Sequence, residues 1–418
     1  MTGLPDRWEH VTLSEVCTSF QYGWTSGTQA GSGLGLLRTT DLTHGPVNWQ
    51  EVPACKEAPK DVSKYLVHPG DVFISRAGSV GVSVLVEDVP RDCVFASYLI
   101  RLRSTERLTS RYLKYFLLSP FYWEQVTEAS AGIALQNINA SKLKRMRLPL
   151  APIAEQERIA TILEEQFSRL DNALTSIRVV REKAESFRRS LLHAAFTGEL
   201  TSGTSGWRQS PLESLLEVTI GGVWGSEPGS DELDVNVLRV TELKEHGRLD
   251  PTTAARRSVT SKQEASRSLQ DGDIILEKSG GGPKSPVGRV GRITESMRGY
   301  LFSNFMQLLR PNSAIVNPDY LFYFLFYFQA TGQTAPMQTA TTNIRNIKMP
   351  EYLGLEVPLP PFTEQQHIVE ILEEQFSRLD IAIGDINQLE ASGVSLRRSL
   401  LHAAFSGELT ATWRKSHV

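Results

Sequence analysis

Three cysteines in 418 residues, Cys17, Cys55 and Cys93, are too few and too scattered for a disulfide framework. None belongs to a CxxC pair, so a structural zinc site is not expected, and a reducing cytoplasm suits the chain. Long apolar runs are also missing. The most apolar, "YLFYFLFYF" at Tyr320–Phe328, is nine residues, about half of what a membrane helix requires. The N-terminal "MTGLPDRWEH" lacks the basic-then-apolar pattern of a secretory signal. Nor does one sign of charge dominate. The net charge is −3, so any contact with a polyanion must come from local patches. Chemistry is as scarce: "GSGLG" at Gly31–Gly35 lacks the strand–turn–helix setting of a nucleotide loop. No metal site is expected, and His193 and His402 have no paired His or Asp at ligand spacing.

What the chain does have is a copy of itself. "EEQFSRLD" occurs at Glu164–Asp171 and again at Glu373–Asp380. At this offset of 209, "PLAPIAEQERIATILEEQFSRLD" faces "PLPPFTEQQHIVEILEEQFSRLD", and "RRSLLHAAFTGELT" faces "RRSLLHAAFSGELT". Over residues 149–201 against 358–410, 32 of 53 positions are identical, yet within 174–187 only Ile177 and Ser186 match. Fainter matches lie upstream: "LLRTTDL" with "VLRVTEL", "HPGDVFISRAG" with "QDGDIILEKSG", and "FASYLIRLR" with "FSNFMQLLR". The chain therefore reads as a divergent segment and a conserved segment, each repeated: 1–148, 149–201, 202–357 and 358–418.

The conserved segments have helical periodicity, opening after prolines and closing at Gly198 and Gly407. Both apolar seams run in 4-3 steps and slip by 3-3 at the same place, 174–180 and 383–389, as a coiled-coil stammer does. Roughly 40 residues make a rod of about 60 Å. A narrow seam needs a partner, and chain geometry favours antiparallel pairing of the two copies, with "EEQFSRLD" of one beside "RRSLLHAAF" of the other. The recurrence of Trp8, Trp207 and Trp413 near the junctions suggests a two-unit ring cut open at one point. The expected fold class is α+β: two similar α/β domains separated by two long helices paired as an antiparallel coiled coil, in a pseudo-two-fold, circular arrangement.

Packing alone would preserve the seam. The polar positions kept instead are Glu164, Glu165, Arg169, Asp171, Arg188, Arg189 and His193, matched by Glu373, Glu374, Arg378, Asp380, Arg397, Arg398 and His402. They are the expected docking residues for two copies of one partner.

This doubled motif, with the "GD(V/I)" strands and their basic loops, closely resembles the specificity subunit of Type I restriction–modification systems, across essentially the whole chain. The resemblance implies two target-recognition domains, each reading half of a bipartite double-stranded DNA site. It implies helices that set the half-site spacing and dock two methyltransferase subunits, with restriction (motor–nuclease) subunits able to join. S-adenosylmethionine would belong to the methyltransferase, and no cofactor to this chain. The Asn/Asp-Pro-Pro-aromatic element of an adenine methyltransferase is missing here, so the chain is expected to be non-catalytic. A coiled-coil adaptor without nucleic-acid binding is the alternative.

Candidate DNA contacts follow the strands. Arg76 in "SRAGSVG", and Lys278 and Lys284 in "EKSGGGPKSPVGR", flank glycine-rich turns that let backbone approach phosphate. A β-turn carrying a solvated cation fits equally. "LQNIN" faces "IRNIK", offering Gln136, Asn137, Asn343 and Arg345 for purine edges, although asparagine there also suits a helix cap. Arg38 and Arg239 match between domains, with a structural ion pair as the competing reading. Trp24 and Trp224 are read as core.

Overall fold

The computed structural model describes residues 4–43, 45–130, 137–201, 203–281, 286–341 and 344–417. The chain divides into two compact units: Met1–Arg178 with Asn387–Val418, and Val179–Ile386.

In the first unit, Cys17–Tyr22, Leu99–Ser104, Val72–Ser75 and Ser83–Leu85 form an antiparallel sheet in that order. A second sheet pairs Gly35–Leu37 parallel to Cys93–Phe95. Strand Glu9–Thr12 pairs antiparallel with Arg147–Leu150, fixing the entry of the first domain beside its exit. The second unit repeats the plan. Leu216–Gly221, Met306–Pro311, Ile274–Glu277 and Val290–Arg292 make the four-stranded sheet, and Arg208–Pro211 pairs with Glu356–Leu359. It also contains the small sheet Ser279–Gly280, Ile344–Ile347, Gln338–Thr341.

The long helices are Ile153–Thr197 and Phe362–Ser406, 45 residues each, or about 68 Å of rise. Each begins once a proline-bearing strand has ended, and each is tied to its domain by the same buried amide. Gln156 Nε2 donates to Ala151 C=O and its Oε1 accepts from Thr109 N–H, at 2.8 and 2.9 Å. Gln365 does the same with Pro360 C=O and Asn317 N–H, at 2.9 and 2.8 Å. Gly198 and Gly407, at φ +82° and +81°, end the helices in the left-handed conformation that favours glycine.

Each unit's core contains the start of one long helix and the end of the other. The first joins Ile159 and Leu163 to Leu401 and Phe405, around Tyr112 and Phe116. In the second, Leu192 and Phe196 meet Ile368 and Leu372 against Tyr320 and Phe324. Burying each such side chain contributes about 1.5–3 kcal/mol. In the first unit the order of contacts, Glu155 with Arg414, Phe167 with Arg397 and Leu174 with Gly393, shows antiparallel running. The run "YLFYFLFYF" lies in helix Pro318–Ala330, most of it buried in this core. Among the described residues no helix is long and apolar enough to cross a membrane.

The expected continuous seam is only partly present. Its ends are buried at Leu163, Phe167, Leu372 and Phe376, whereas Val180, Phe187, Leu389 and Leu396 are exposed. Periodicity marks an apolar stripe without saying how much of it the copy covers. Trp24 and Trp224 are only partly buried, each packed on a small satellite cluster.

Candidate nucleic-acid interface

Both recognition domains carry their basic loop on the same backbone frame. In the first, strand Val72–Ser75 ends at Arg76, whose N–H donates to Tyr98 C=O at 2.9 Å. Arg76 C=O accepts from Ile138 N–H at 3.1 Å. In the second, Lys278 N–H donates to Phe305 C=O at 3.0 Å, and Lys278 C=O accepts from Ile347 N–H at 2.8 Å. The aligned segments 137–138 and 345–347 are thus laid beside the aligned cations.

The electrostatics suit an anion. The Arg76 guanidinium lies over the Tyr22 ring at 4.8 Å. Its Nε is buried without a partner among the described residues, as is Asn137 Oδ1. The Lys278 ammonium is half-buried and donates to Gln307 Oε1 at 3.3 Å. Burial, and then the charge of Arg267, lowers its pKa from the ordinary lysine value. Arg267 Nε donates to Gly221 C=O at 2.9 Å. Two cations held together by neutral acceptors form a site that an anion would relieve. Arg267 escapes sequence reasoning because it sits on a separate helix, Ser261–Arg267, outside the repeat matches.

Arg345 lies in the central strand of the small sheet, opposite Gly280 on one side and Ala340 on the other. The structure therefore brings it next to the Lys278 loop. Arg38 closes a fork on Asp41 at 2.7 and 3.1 Å, and Arg239 one on Glu242 at 2.8 and 3.2 Å. For these two the arrangement present is the ion pair. Asn139, not Asn137, caps the short helix Ala140–Lys144. Gln136, Lys284 and Asn343 lie outside the described residues.

The retained polar residues on the helices divide into two groups. Asp171 pairs with Arg397 at 2.5 Å, and Arg397 covers Phe167 at 4.6 Å. Asp380 pairs with Arg188 at 2.5 Å, and Arg188 covers Phe376 at 4.6 Å. These four join helix to helix, which gives their retention a structural reading beside the docking one. Glu164 is taken by Arg111, His193 Nδ1 meets Tyr327 Oη at 3.0 Å, and His402 stacks on Phe121 at 5.2 Å. Glu373 faces Asp319, to which Arg292 is paired. Partial burial, then Asp319, raises the Glu373 pKa, against the pull of Arg292. Glu374 pairs with Arg378 on the same face at 2.6 Å. Glu165, Arg169, Arg189 and Arg398 are exposed. So are the apolar Val179, Val180, Phe187 and Ile381 of the second unit and Leu389, Val394 and Leu396 of the first.

Residues 5–178 and again 205–391 match the Type I restriction modification DNA specificity domain. The chain belongs to that family. The specificity subunit of the StySPI Type I restriction enzyme of Salmonella potsdam is 27% identical, over 98% of this chain and 91% of its own. That of the EcoKI enzyme of Escherichia coli K12 is 25% identical over the same shares. Among solved structures, a chain from a study of complex assembly and conformational transition in a type I R-M system has a TM-score of 0.78. It is 18% identical, over 98% of this chain and 100% of its own. The HsdS subunit of Thermoanaerobacter tengcongensis has a TM-score of 0.57 at 19% identity, covering 97% and 98%. These two likenesses concern the family fold.

Proposed function

We propose that this chain is the non-catalytic DNA-recognition subunit of a Type I restriction–modification assembly, each recognition domain reading one half of a bipartite duplex site. The observation that carries this is the repeated frame: one scaffold position, two domains, a cation in each with no carboxylate partner among the described residues, and different loops around it. A shared frame with divergent loops suits two independent readings. The helices set the distance between half-sites, and their exposed apolar and charged residues dock two adenine methyltransferase subunits. Those subunits bring S-adenosylmethionine, and a restriction subunit joins for cleavage.

Binding to duplexes with one half randomised, at two salt concentrations, tests the reading. Lys278→Ala and Arg345→Ala should affect one half-site and Arg76→Ala the other. A lost bidentate base contact costs about 1–3 kcal/mol at one position, while a lost phosphate contact weakens all sequences and flattens the salt slope. Effects on both halves from any one variant would refute the assignment. Removing one heptad from each helix shortens it by about 10 Å, roughly three base pairs of spacing. Methylation retained at the original spacing would end the ruler idea, and native mass spectrometry showing one methyltransferase at saturation would end the two-copy docking.

A further inference from the structure

Beside each loop cation stands an exposed ring. Tyr98 is 60% exposed and Phe305 is 42% exposed. They occupy the same position when "FASYLIRLR" is laid on "FSNFMQLLR", and the same position in space. Tyr98 lies in a tight turn closed by Leu99 N–H on Ala96 C=O at 2.9 Å. Phe305 lies in one closed by Met306 N–H on Ser303 C=O, also at 2.9 Å. The carbonyl of each ring-bearing residue accepts the N–H of the cation, Arg76 or Lys278. The backbones of the ring-bearing residue and of the cation are therefore fixed to each other in both domains.

A single exposed aromatic needs no explanation. Two at one scaffold position, in domains whose loops otherwise differ, do. Both flanking residues are Leu99 and Met306, fully buried, so the turn cannot roll its ring inward without emptying the core. Among the described residues neither cation is paired with a carboxylate, and a cation whose backbone is bonded to that of an exposed ring fits a polyanion with apolar base edges: phosphate for the charge, a base edge for the ring.

We propose that Tyr98 and Phe305 are the aromatic contacts that the two domains lay against the bases of their respective half-sites. This rests on the DNA-recognition reading above. Tyr98 adds a hydroxyl, whereas Phe305 discriminates by apolar contact alone, for which a thymine methyl is the ordinary target.

The test uses the full chain with its methyltransferase subunit and the half-randomised duplexes. Tyr98→Ala should weaken binding through its own half-site on the order of ten-fold and leave the other half unchanged, and Phe305→Ala the converse. Tyr98→Phe should keep most of the affinity. The slope of log affinity against log salt should not move, because no phosphate charge is lost. Both rings are exposed, so the thermal midpoint should stay at the wild-type value. Ala variants that select and bind as wild type would overturn the proposal, as would loss of a bound methyltransferase copy in place of lost DNA affinity. If the wild-type complex shows no sequence preference at all, the recognition reading itself fails and this inference falls with it.

Discussion

Glu155 and Glu364 hold the same place in the two repeats and are satisfied by different means. In the second unit the chain runs on from helix end to domain start, and Trp207 Nε1 donates to Glu364 Oε1 at 3.2 Å. In the first unit the matching junction is where the chain begins and ends. There Trp8 Nε1 donates to Glu155 at 2.9 Å, Thr410 Oγ1 at 2.6 Å, and Arg414 at 3.0 and 2.7 Å. Glu155 is buried, and the last turn of the protein neutralises it. Trp8, not Trp413, takes the seat of Trp207; Trp413 stacks on His417 at 4.5 Å. Here an ion pair and its hydrogen bonds join segments that lie far apart in the sequence.

Arg414→Ala would break this comparison most severely. It leaves a buried carboxylate without its cation, a loss of about 3–5 kcal/mol. Trp207→Phe removes one hydrogen bond in the second unit, about 1 kcal/mol. Hydrogen exchange resolved by unit should show the first loss in residues 1–178 and 387–418 only. Equal loosening of both units would refute the division of roles.

The cross-helix pairs sharpen it further. The Arg188 side chain is 5% exposed and that of Arg397 is 40% exposed, although both cover a phenylalanine and meet an aspartate. Arg188→Ala should cost about 2 kcal/mol, mostly through lost packing and cation–π contact. Arg397→Ala should cost about 1 kcal/mol or less. Denaturant titration of the two variants checks the order, and a larger loss for Arg397→Ala would reverse it.

The smallest expected effect concerns the first glutamate of the octapeptide. Glu164 faces Arg111, but the aligned Glu373 faces Asp319, where the repeat has exchanged an arginine for an acid. A raised carboxyl pKa means the folded state holds the proton more tightly than the unfolded chain. The second unit should therefore lose a little stability as pH rises from the ordinary value of 4.5 through the raised one, and regain it on acidification. Glu373→Gln should flatten that dependence, and thermal midpoints across the window will show whether it does.

The paired helices were legible because a 209-residue offset exposes them letter by letter, and antiparallel pairing followed from chain direction. The loop cations were legible as residues flanking glycine after a strand. What escaped depends on partners far apart in sequence. Arg111 for Glu164 and Arg414 for Glu155, 53 and 259 residues apart, meet only after folding. Tyr98 and Phe305 escaped for another reason: within an apolar strand pattern a ring reads as core, and only the tight turn shows that it points out.

The discontinuity of the first unit sets a schedule. Its two pieces are separated by residues 179–386, 208 positions that belong wholly to the second unit. At about 5–20 residues per second of synthesis, the N-terminal domain waits roughly 10–40 s for the helix end that completes its core. The second unit, contiguous in the chain, is whole before the first. Chains truncated at residue 386 and released from the ribosome should accordingly resist protease across 208–359 while 5–178 is still cut. Released chains that include Arg414 should protect both, because Leu401, Phe405 and Arg414 then complete the first core.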